Sequence, residues 1–301
     1  MFDGGRYVHQ GIVIRAIGGY FRVLLDDGRV VETRARGRLR KEGVSVLVGD
    51  RVQVTVQSGD TGAIENVAPR RNALIRPPIA NVDQVAIVTA LENPPPNYGL
   101  LDRLLVAAAA VDSEPLLIWN KADLVATEAV SEAVAPYKSA GFPIIITSAK
   151  SAQGLEELKR ALVGRVSTFA GPSGVGKSAL LNSVHPQWQR ETGAVSKRLG
   201  RGRHTTRAVE LLPLPAGGLV ADTPGFSTLD VRDIPPGELG RHWPDIAALA
   251  HECRFPGCRH RAEPDCAVRL AAEEGRLHAR RYESYIDLLS EIEQWEARRY
   301  S

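Results

Sequence analysis

The octapeptide from Gly171 to Ser178, Gly-Pro-Ser-Gly-Val-Gly-Lys-Ser, constrains the fold of this chain more than any other feature of its sequence. Its glycines allow backbone N–H groups to close around phosphate oxygens, and it lies between a strand predicted at Val166–Ala170 and a helical pattern at Lys177–Val184. A strand, a glycine-rich loop and a helix in this order predict a nucleoside-triphosphate site on an α/β domain. Lys177 would neutralise the outer phosphates, and Ser178 would bind Mg²⁺. The residues expected to line the phosphates are Gly171, Pro172, Ser173, Gly174, Val175, Gly176, Lys177, Ser178 and Ala179.

Two short motifs at the ends of predicted strands indicate which base is bound. Asn120-Lys-Ala-Asp123 follows an apolar strand, and its aspartate can accept hydrogen bonds from the imino group and the exocyclic amine of guanine, a donor pair that adenine lacks. Thr147-Ser-Ala-Lys150 follows the next strand, where the Ala149 N–H can donate to the guanine carbonyl and the lysine can pack over the ring. The sequence therefore predicts a GTP site with guanine-binding residues Asn120, Lys121, Asp123, Ser148, Ala149 and Lys150.

A third strand-end motif supplies metal and phosphate contacts. In Asp222-Thr-Pro-Gly225, Asp222 is expected to hold Mg²⁺ through a water molecule, and the Gly225 N–H is expected to contact the terminal phosphate. The polar, basic loop at 200–206 is of the kind that nucleotide and metal bring to order. Its Thr205 or Thr206 is the candidate for a second hydroxyl ligand of Mg²⁺.

The order of these motifs is circularly permuted. In an ordinary GTPase the guanine-binding motifs come last, whereas here positions 120 and 148 precede both the phosphate loop and Asp222. Because every motif is a loop at the same edge of the sheet, joining the old termini and cutting the chain elsewhere leaves the site intact. The permutation places the segment that responds to hydrolysis directly before the C-terminal part of the chain.

The sequence predicts three unlike domains. Residues 1–71 form an N-terminal β-barrel of the oligonucleotide-binding (OB) type, expected to bind RNA; residues 72–232 form the permuted α/β GTPase domain; residues 233–301 form a mostly α zinc-binding domain with a helical tail at Arg276–Arg299. The strands expected in the barrel are Gly11–Ile17, Tyr20–Leu25, Val30–Thr33, Val44–Val48, Arg51–Gln57 and Ala63–Val67.

A basic run in the predicted barrel favours an anionic partner. Between positions 29 and 41, six cations are accompanied by only one acidic residue, Glu32. Most such runs are solvated loops, but RNA is the partner that this charge and fold favour. The candidate RNA-binding residues are Arg34, Arg36, Arg38, Arg40 and Lys41.

The three cysteines of the chain lie close together in the sequence, as Cys253-x4-Cys258-x-His260-x5-Cys266. A Cys3His set suits tetrahedral Zn²⁺, and prolines and glycines between the ligands supply the turns that bring them to one point. Since four ligands leave no open position, we expect one structural zinc ion. The spacing excludes a disulfide framework.

Composition limits the location of the protein. The net charge is +3, 44% of the residues are hydrophobic, and no apolar run approaches the ~18 residues that a membrane span needs. The N-terminal residues are polar and lack the apolar centre of a secretory signal. We therefore expect a cytoplasmic protein that does not enter a membrane.

The combination of barrel, permuted GTPase and Cys3His cluster resembles the RsgA (YjeQ-like) family of bacterial GTPases. The resemblance covers nearly the whole chain. It implies late maturation of the small (30S) ribosomal subunit, with GTP and GDP, the subunit and its 16S rRNA as partners, and hydrolysis stimulated by the subunit. We expect the protein to act as a monomer.

The resemblance also implies a catalytic histidine, which is His204 in this sequence. Phe226 follows Gly225 and cannot orient water as a glutamine would, so another group must do so. His204 could instead contact RNA or order its own loop. The family loop continues with a hydroxyl residue where this chain has Arg207, which leaves the Mg²⁺ ligand open between Thr205 and Thr206, with Thr205 favoured.

Two other functions fit the same sequence. One is an RNA-binding assembly factor in which nucleotide only gates affinity, and the other is a permuted GTPase that serves the large subunit. The basic barrel supports the first. Hydrolysis of GTP to GDP and phosphate on the small subunit is the function that we expect.

Overall fold

The computed structural model describes residues 2–3, 6–57, 59–75, 77–185, 209–222 and 231–299. The chain divides into two compact units. One contains Met1–Gln84, Lys159–Phe169 and Val184–Phe226, and the other contains Val85–Leu158, Ala170–Ser183 and Ser227–Ser301. The described part of the chain contains no helix that is long and apolar enough to cross a membrane.

The strands are, in chain order, β1 (Phe2–Asp3), β2 (Arg6–Ile17), β3 (Tyr20–Leu25), β4 (Val30–Ala35), β5 (Arg51–Val56), β6 (Thr61–Val67), β7 (Ala73–Leu74), β8 (Ile79–Ala80), β9 (Gln84–Ala90), β10 (Glu114–Asn120), β11 (Ile144–Ile146), β12 (Val166–Ala170), β13 (Glu210–Pro213) and β14 (Leu219–Asp222). The α-helices are α1 (Gly37–Lys41), α2 (Tyr98–Ala110), α3 (Thr127–Ser139), α4 (Leu155–Leu162), α5 (Lys177–Val184), α6 (Pro244–Ala250), α7 (Ala267–Glu273) and α8 (Ala279–Arg299). Within the described residues, 3₁₀ helices span Ala122–Leu124 and Pro236–His242.

Five strands of the first unit close into a barrel, as the sequence predicts. β2 pairs with both β3 and β5, β3 pairs with β4, and β6 lies between β4 and β5, parallel to β4. Side chains alternate between the inside and the outside, because successive residues of a strand point to opposite faces. The barrel core consists of the buried residues Val13, Val23, Leu25, Val31, Leu39, Val52, Val54 and Ile64.

The prediction of a strand at Val44–Val48 is wrong. Within this segment only Val48 pairs, through an isolated bridge to Ile79. The backbone groups bind side chains instead: the Leu47 N–H donates to the fully buried Asp50 carboxylate at 2.7 Å, and Arg70 donates to the Ser45 carbonyl. An ion pair between Arg70 and Asp50, at 2.7 Å, fixes this arrangement, which competes successfully with strand pairing.

The basic run is also more structured than a solvated loop. Residues Gly37–Lys41 form the short helix α1, and the buried Leu39 anchors this helix in the barrel core. Because Leu39 points inward, the cations around it point outward.

The first unit also holds three strands of the GTPase region. β14 pairs in parallel with β12 and antiparallel with β13, and Glu210 of β13 pairs with Arg15 of the barrel strand β2. The Glu210 carboxylate lies 3.8 Å from Arg15 and 3.5 Å from Arg22. The barrel is thus joined to the strand that follows the polar, basic loop predicted at 200–206, here called the switch loop.

The second unit contains the other part of the α/β domain together with the C-terminal helices. β10 pairs in parallel with β11 and lies next to β9, whose residues are all buried. The long C-terminal helix begins at Ala279, close to the predicted start. Helices α6 and α7 lie in the domain that is predicted to be mostly α, although no individual helix is predicted at either position. α2 shares one hydrophobic core with the C-terminal segment: Val106, Ala107, Val231, Ile234, Leu239, Trp243, Ile246, Cys266, Val268, Ala271, Leu277, Tyr285, Leu288, Leu289 and Ile292.

Candidate nucleotide site and metal centre

The phosphate loop has the backbone that its glycines allow. Gly171 and Gly176 have φ values of 131° and 98°, in the region that side-chain-bearing residues rarely adopt. A Cβ atom at Gly171 would lie 2.1 Å from the Val88 carbonyl oxygen, and one at Gly176 would lie 2.2 Å from Asn120 Nδ2. Both positions therefore require glycine, because neighbouring atoms leave no room for a Cβ and because the backbone has a positive φ.

Lys177 opens helix α5 and folds back over the loop. Its Nζ donates to the carbonyl oxygens of Gly171 and Pro172, each at 2.7 Å. The side chain is half-buried, and burial lowers the pKa of the ammonium group from its usual value. Ser178 and Ala179 are exposed beside it at the start of the helix. The ammonium group is thus held against the loop, and Ser178 is exposed at the start of the helix that follows it.

Asn120 connects the phosphate loop to the guanine-binding segments. Its buried amide donates through Nδ2 to the Val175 carbonyl at 2.8 Å, and its Oδ1 accepts from Thr147 Oγ1 at 3.1 Å and from the Ala149 N–H at 3.4 Å. The two ends of one amide therefore hold three loops in register. The sequence places Asn120 among the nucleotide-binding residues but does not reveal this linking role, nor the part that Thr147 plays in it.

The remaining guanine-binding candidates lie around this link. The exposed Asp123 accepts a hydrogen bond from Ser148 Oγ at 2.6 Å, and the same hydroxyl accepts from the Ser151 N–H at 3.1 Å. Lys121 has a left-handed backbone, with a φ of 65°, and its Nζ donates to the Asn93 carbonyl. Lys150 is exposed. Asp123 is thus oriented by its neighbour while its carboxylate stays accessible to a base.

Replacing Gly176 with alanine is expected to weaken GDP binding by about 5- to 100-fold, because the new Cβ would displace Asn120 Nδ2 from the Val175 carbonyl and break a buried hydrogen bond. Isothermal titration calorimetry would measure the affinity. Gly164→Ala is the matched control, since Gly164 also has a positive φ, of 71°, but a Cβ atom there meets nothing within 4 Å. Equal GDP affinity in the two variants would contradict the role assigned to Gly176.

Several predicted residues lie outside the described residues: His204, Thr205, Thr206 and Gly225. Asp222 is the last residue of β14. The catalytic histidine and the Mg²⁺ ligands of the switch loop therefore stay predictions from the sequence.

The four predicted metal ligands lie together. The donor atoms of Cys253, Cys258, His260 and Cys266 are all within 4.8 Å of one another, and His260 Nδ1 lies 3.5 Å from Cys253 Sγ and 3.6 Å from Cys266 Sγ. Bonds of ~2.3 Å to sulfur and ~2.1 Å to nitrogen at tetrahedral angles would separate these atoms by about 3.6 Å. The cluster therefore has the composition and size to hold a metal ion.

A second layer of contacts fixes the loop that carries these ligands. Tyr282 and Tyr285 of α8 donate to the carbonyl oxygens of His260 and Arg259, at 2.8 and 3.0 Å. The Glu263 carboxylate accepts from three backbone N–H groups, including that of Arg259 at 2.7 Å and that of Arg261 at 2.9 Å. These hydrogen bonds hold the pKa of Glu263 down to about 2 despite its partial burial. The spacing of the metal ligands in the sequence does not point to Glu263, Tyr282 or Tyr285.

The barrel exposes most of the predicted RNA-binding residues. Arg34, Arg38, Arg40 and Lys41 are exposed, and the Arg34 guanidinium lies 4.2 Å from the centroid of the exposed Tyr20 ring. Arg36 is half-buried and pairs with Glu65 at 2.9 Å. An arginine beside an exposed aromatic ring is a surface on which a base can stack.

Comparison with known proteins gives matches over nearly the whole length of the chain. The profile described as RsgA GTPase matches residues 67–232, and the RsgA N-terminal domain matches residues 10–64. A protein of Moorella thermoacetica named small ribosomal subunit biogenesis GTPase RsgA is 47% identical over 283 residues, which are 94% of this chain and 97% of that protein.

Two crystal structures have the same fold. That of YloQ, described as a circularly permuted GTPase, superimposes with a TM-score of 0.84 at 36% identity and covers 98% of both chains. That of YjeQ from Thermotoga maritima gives the same score and identity over 95% of this chain and 99% of that chain. With its nucleotide motifs in permuted order, the chain belongs to the RsgA family of GTPases.

Proposed function

We propose that this protein hydrolyses GTP to GDP and phosphate and uses the reaction as a switch in late assembly of the small ribosomal subunit. The observation that carries the proposal is the Asn120 amide, which ties the phosphate loop to both guanine-binding segments. A phosphate loop alone serves any nucleoside triphosphate. Its connection through Asn120 to the segments that carry Asp123 and Ala149 supports guanine nucleotides as its ligands.

The proposed reaction is an in-line attack of water on the terminal phosphate. Lys177 would exchange its two carbonyl partners for phosphate oxygens, and its charge would offset the negative charge that develops there. Ser178, Asp222 and Thr205 would hold Mg²⁺, which supplies further neutralisation when bound. His204 would orient the attacking water.

The partner is proposed from the relatives and from charge. The RsgA relatives are named small ribosomal subunit biogenesis GTPases, and the exposed cations of the barrel suit an RNA backbone. We assign binding of 16S rRNA to the barrel, at residues 1–71, and a structural Zn²⁺ to the Cys3His cluster. In this proposal the protein acts as a monomer in the cytoplasm.

Purified small subunits are expected to raise the single-turnover rate of GTP hydrolysis at least about tenfold, because docking would complete a site that lacks a glutamine after Gly225. His204→Ala is expected to lose this gain and keep its affinity for GTP. The matched control is His251→Ala, since the His251 side chain is 74% exposed and lies far in sequence from the nucleotide-binding motifs.

The same assay separates the alternatives. Stimulation by large subunits alone would favour a large-subunit GTPase. Nucleotide-dependent co-sedimentation with small subunits, without any stimulated hydrolysis, would favour an RNA-binding factor that nucleotide merely gates. Full stimulation of His204→Ala would remove that residue from the mechanism.

A further inference from the structure

The C-terminal helix α8 places a fully buried cation against the GTPase helix α2. Arg281 is only 1% exposed, and its guanidinium donates to Asp102 of α2 and to both carboxylate oxygens of Asp245 of α6, the latter at 2.9 and 3.0 Å. Burial raises the pKa of Asp102, and the charge of Arg281 opposes that rise. Arg281 is therefore the link on which two acidic side chains from different helices depend.

The same guanidinium packs against aromatic rings. It lies 4.8 Å from the ring centroid of Trp243 and 5.3 Å from those of Tyr137 and Phe142. A planar guanidinium can stack on rings and pair with carboxylates at the same time, which an ammonium group cannot do equally well. The position of Tyr137, which is fully buried, is thus set in part by Arg281.

Tyr137 and its neighbours pack against Trp119, in the strand that carries the guanine-binding motif. The ring centroids of Tyr137 and Trp119 are 5.9 Å apart. The ring centroid of Tyr98 of α2 lies 6.2 Å from that of Trp119 and 6.4 Å from that of Tyr137, on which it stacks. Arg280 covers the Tyr98 ring at 4.0 Å. Two adjacent arginines of the C-terminal helix therefore contact the aromatic cluster formed by Tyr98, Trp119 and Tyr137.

Trp119 directly precedes Asn120 at the end of β10. Since Trp119 is fully buried, a shift of its ring would move the backbone that presents Asn120 and, three residues later, Asp123. Contacts therefore run without a gap from Arg281 through Tyr137 and Trp119 to the guanine-binding motif.

We propose that Arg281 is a positioning residue for guanine recognition, which holds the end of β10 through the aromatic cluster and so makes base selectivity depend on the docked C-terminal helix. The inference rests on the proposed function, because it assigns guanine binding to that strand end. Arg281 itself touches no nucleotide in this proposal. It acts on the base through Tyr137 and Trp119.

The test compares binding of GDP and of inosine diphosphate, which lacks the exocyclic amine that Asp123 would bind. Arg281→Met is expected to weaken GDP binding by about 5- to 20-fold and to reduce the preference for GDP over inosine diphosphate by a similar factor. Tyr137→Leu interrupts the same path and keeps both aspartate pairs of Arg281. It is expected to reduce the preference in the same way.

The matched control is Arg103→Gln, which removes the ion pair between Arg103 of α2 and Glu291 of α8, a pair that joins the same two helices on a more exposed face. It should leave the preference unchanged. The folding of each variant is checked by circular dichroism and by its metal content. If Arg281→Met yields no folded protein, the preference of Tyr137→Leu for GDP over inosine diphosphate decides the test.

Reduced preference in the folded variants and an unchanged preference in Arg103→Gln would support the proposal. A folded Arg281→Met or Tyr137→Leu protein that prefers GDP as strongly as the wild type would overturn it. A wild-type protein without preference for GDP would instead count against the proposed function, so the two failures are distinguishable.

Discussion

Replacing Lys177 with alanine is expected to lower the rate of GTP hydrolysis by about 100- to 1000-fold, because the phosphate loop loses the charge that offsets the developing negative charge on the transferred phosphate. The structure places this ammonium group over the loop by hydrogen bonds to Gly171 and Pro172. Nucleotide would replace those two carbonyl partners with phosphate oxygens. A single-turnover assay with radiolabelled GTP measures the effect.

The fold is expected to survive this substitution, since the hydrogen-bond partners of Lys177 are backbone carbonyls at the loop. Lys138→Ala is the matched control, because Lys138 is an exposed lysine near the end of α3. The control should hydrolyse GTP at the wild-type rate. An equal rate in Lys177→Ala would show that hydrolysis occurs without the phosphate-loop lysine and would contradict the mechanism.

Elements specified by local sequence could be predicted closely. Strand β12 and helix α5 have the bounds that the sequence indicates, Val166–Ala170 and Lys177–Val184. All five residues of β12 are buried, including the polar Ser167 and Thr168, and a short run directly before a glycine-rich loop and a helix indicates such a strand. The permuted order of the motifs is likewise readable because each motif is short and continuous.

Contacts between distant segments could not be predicted in this way. The hydrogen bond of Asn120 to Val175 spans 55 positions, and the ion pair of Arg281 with Asp102 spans 179. Arg281 lies in a helix whose charges look like those of a solvated surface. Only the packing of α8 on α2 shows that this one arginine points inward.

The wrong prediction of a strand at Val44–Val48 also results from a contact between segments that are distant in sequence. The valines of Val44–Val48 favour a strand by propensity, which is a weak guide where side chains compete for the backbone. The side chains that bind this backbone instead of a neighbouring strand are Asp50, which is near in sequence, and Arg70, which is not. The sequence shows Asp50 beside Gly49, but it shows neither the burial of Asp50 nor its pairing with Arg70.

Replacing His260 with alanine is expected to remove the bound metal ion and to open the loop before it. In residues 251–266 only His260 and Cys266 are buried, so the loop has few apolar contacts of its own. Metal binding can supply ~10–16 kcal/mol in small zinc sites, more than such contacts provide. Elemental analysis should find about one zinc ion per wild-type chain and almost none in the variant.

Hydrogen exchange should show where the loop opens. Residues 251–258 are expected to exchange at nearly unfolded rates in His260→Ala, whereas 259–263 should keep partial protection through Glu263, Tyr282 and Tyr285. Helix α8 should stay protected, because its buried residues share a core with α2. His251→Ala, which removes an exposed histidine from the same region, should keep both the metal and the protection. Full protection of 251–258 in a metal-free His260→Ala protein would mean that side-chain packing, and not the metal, holds this loop.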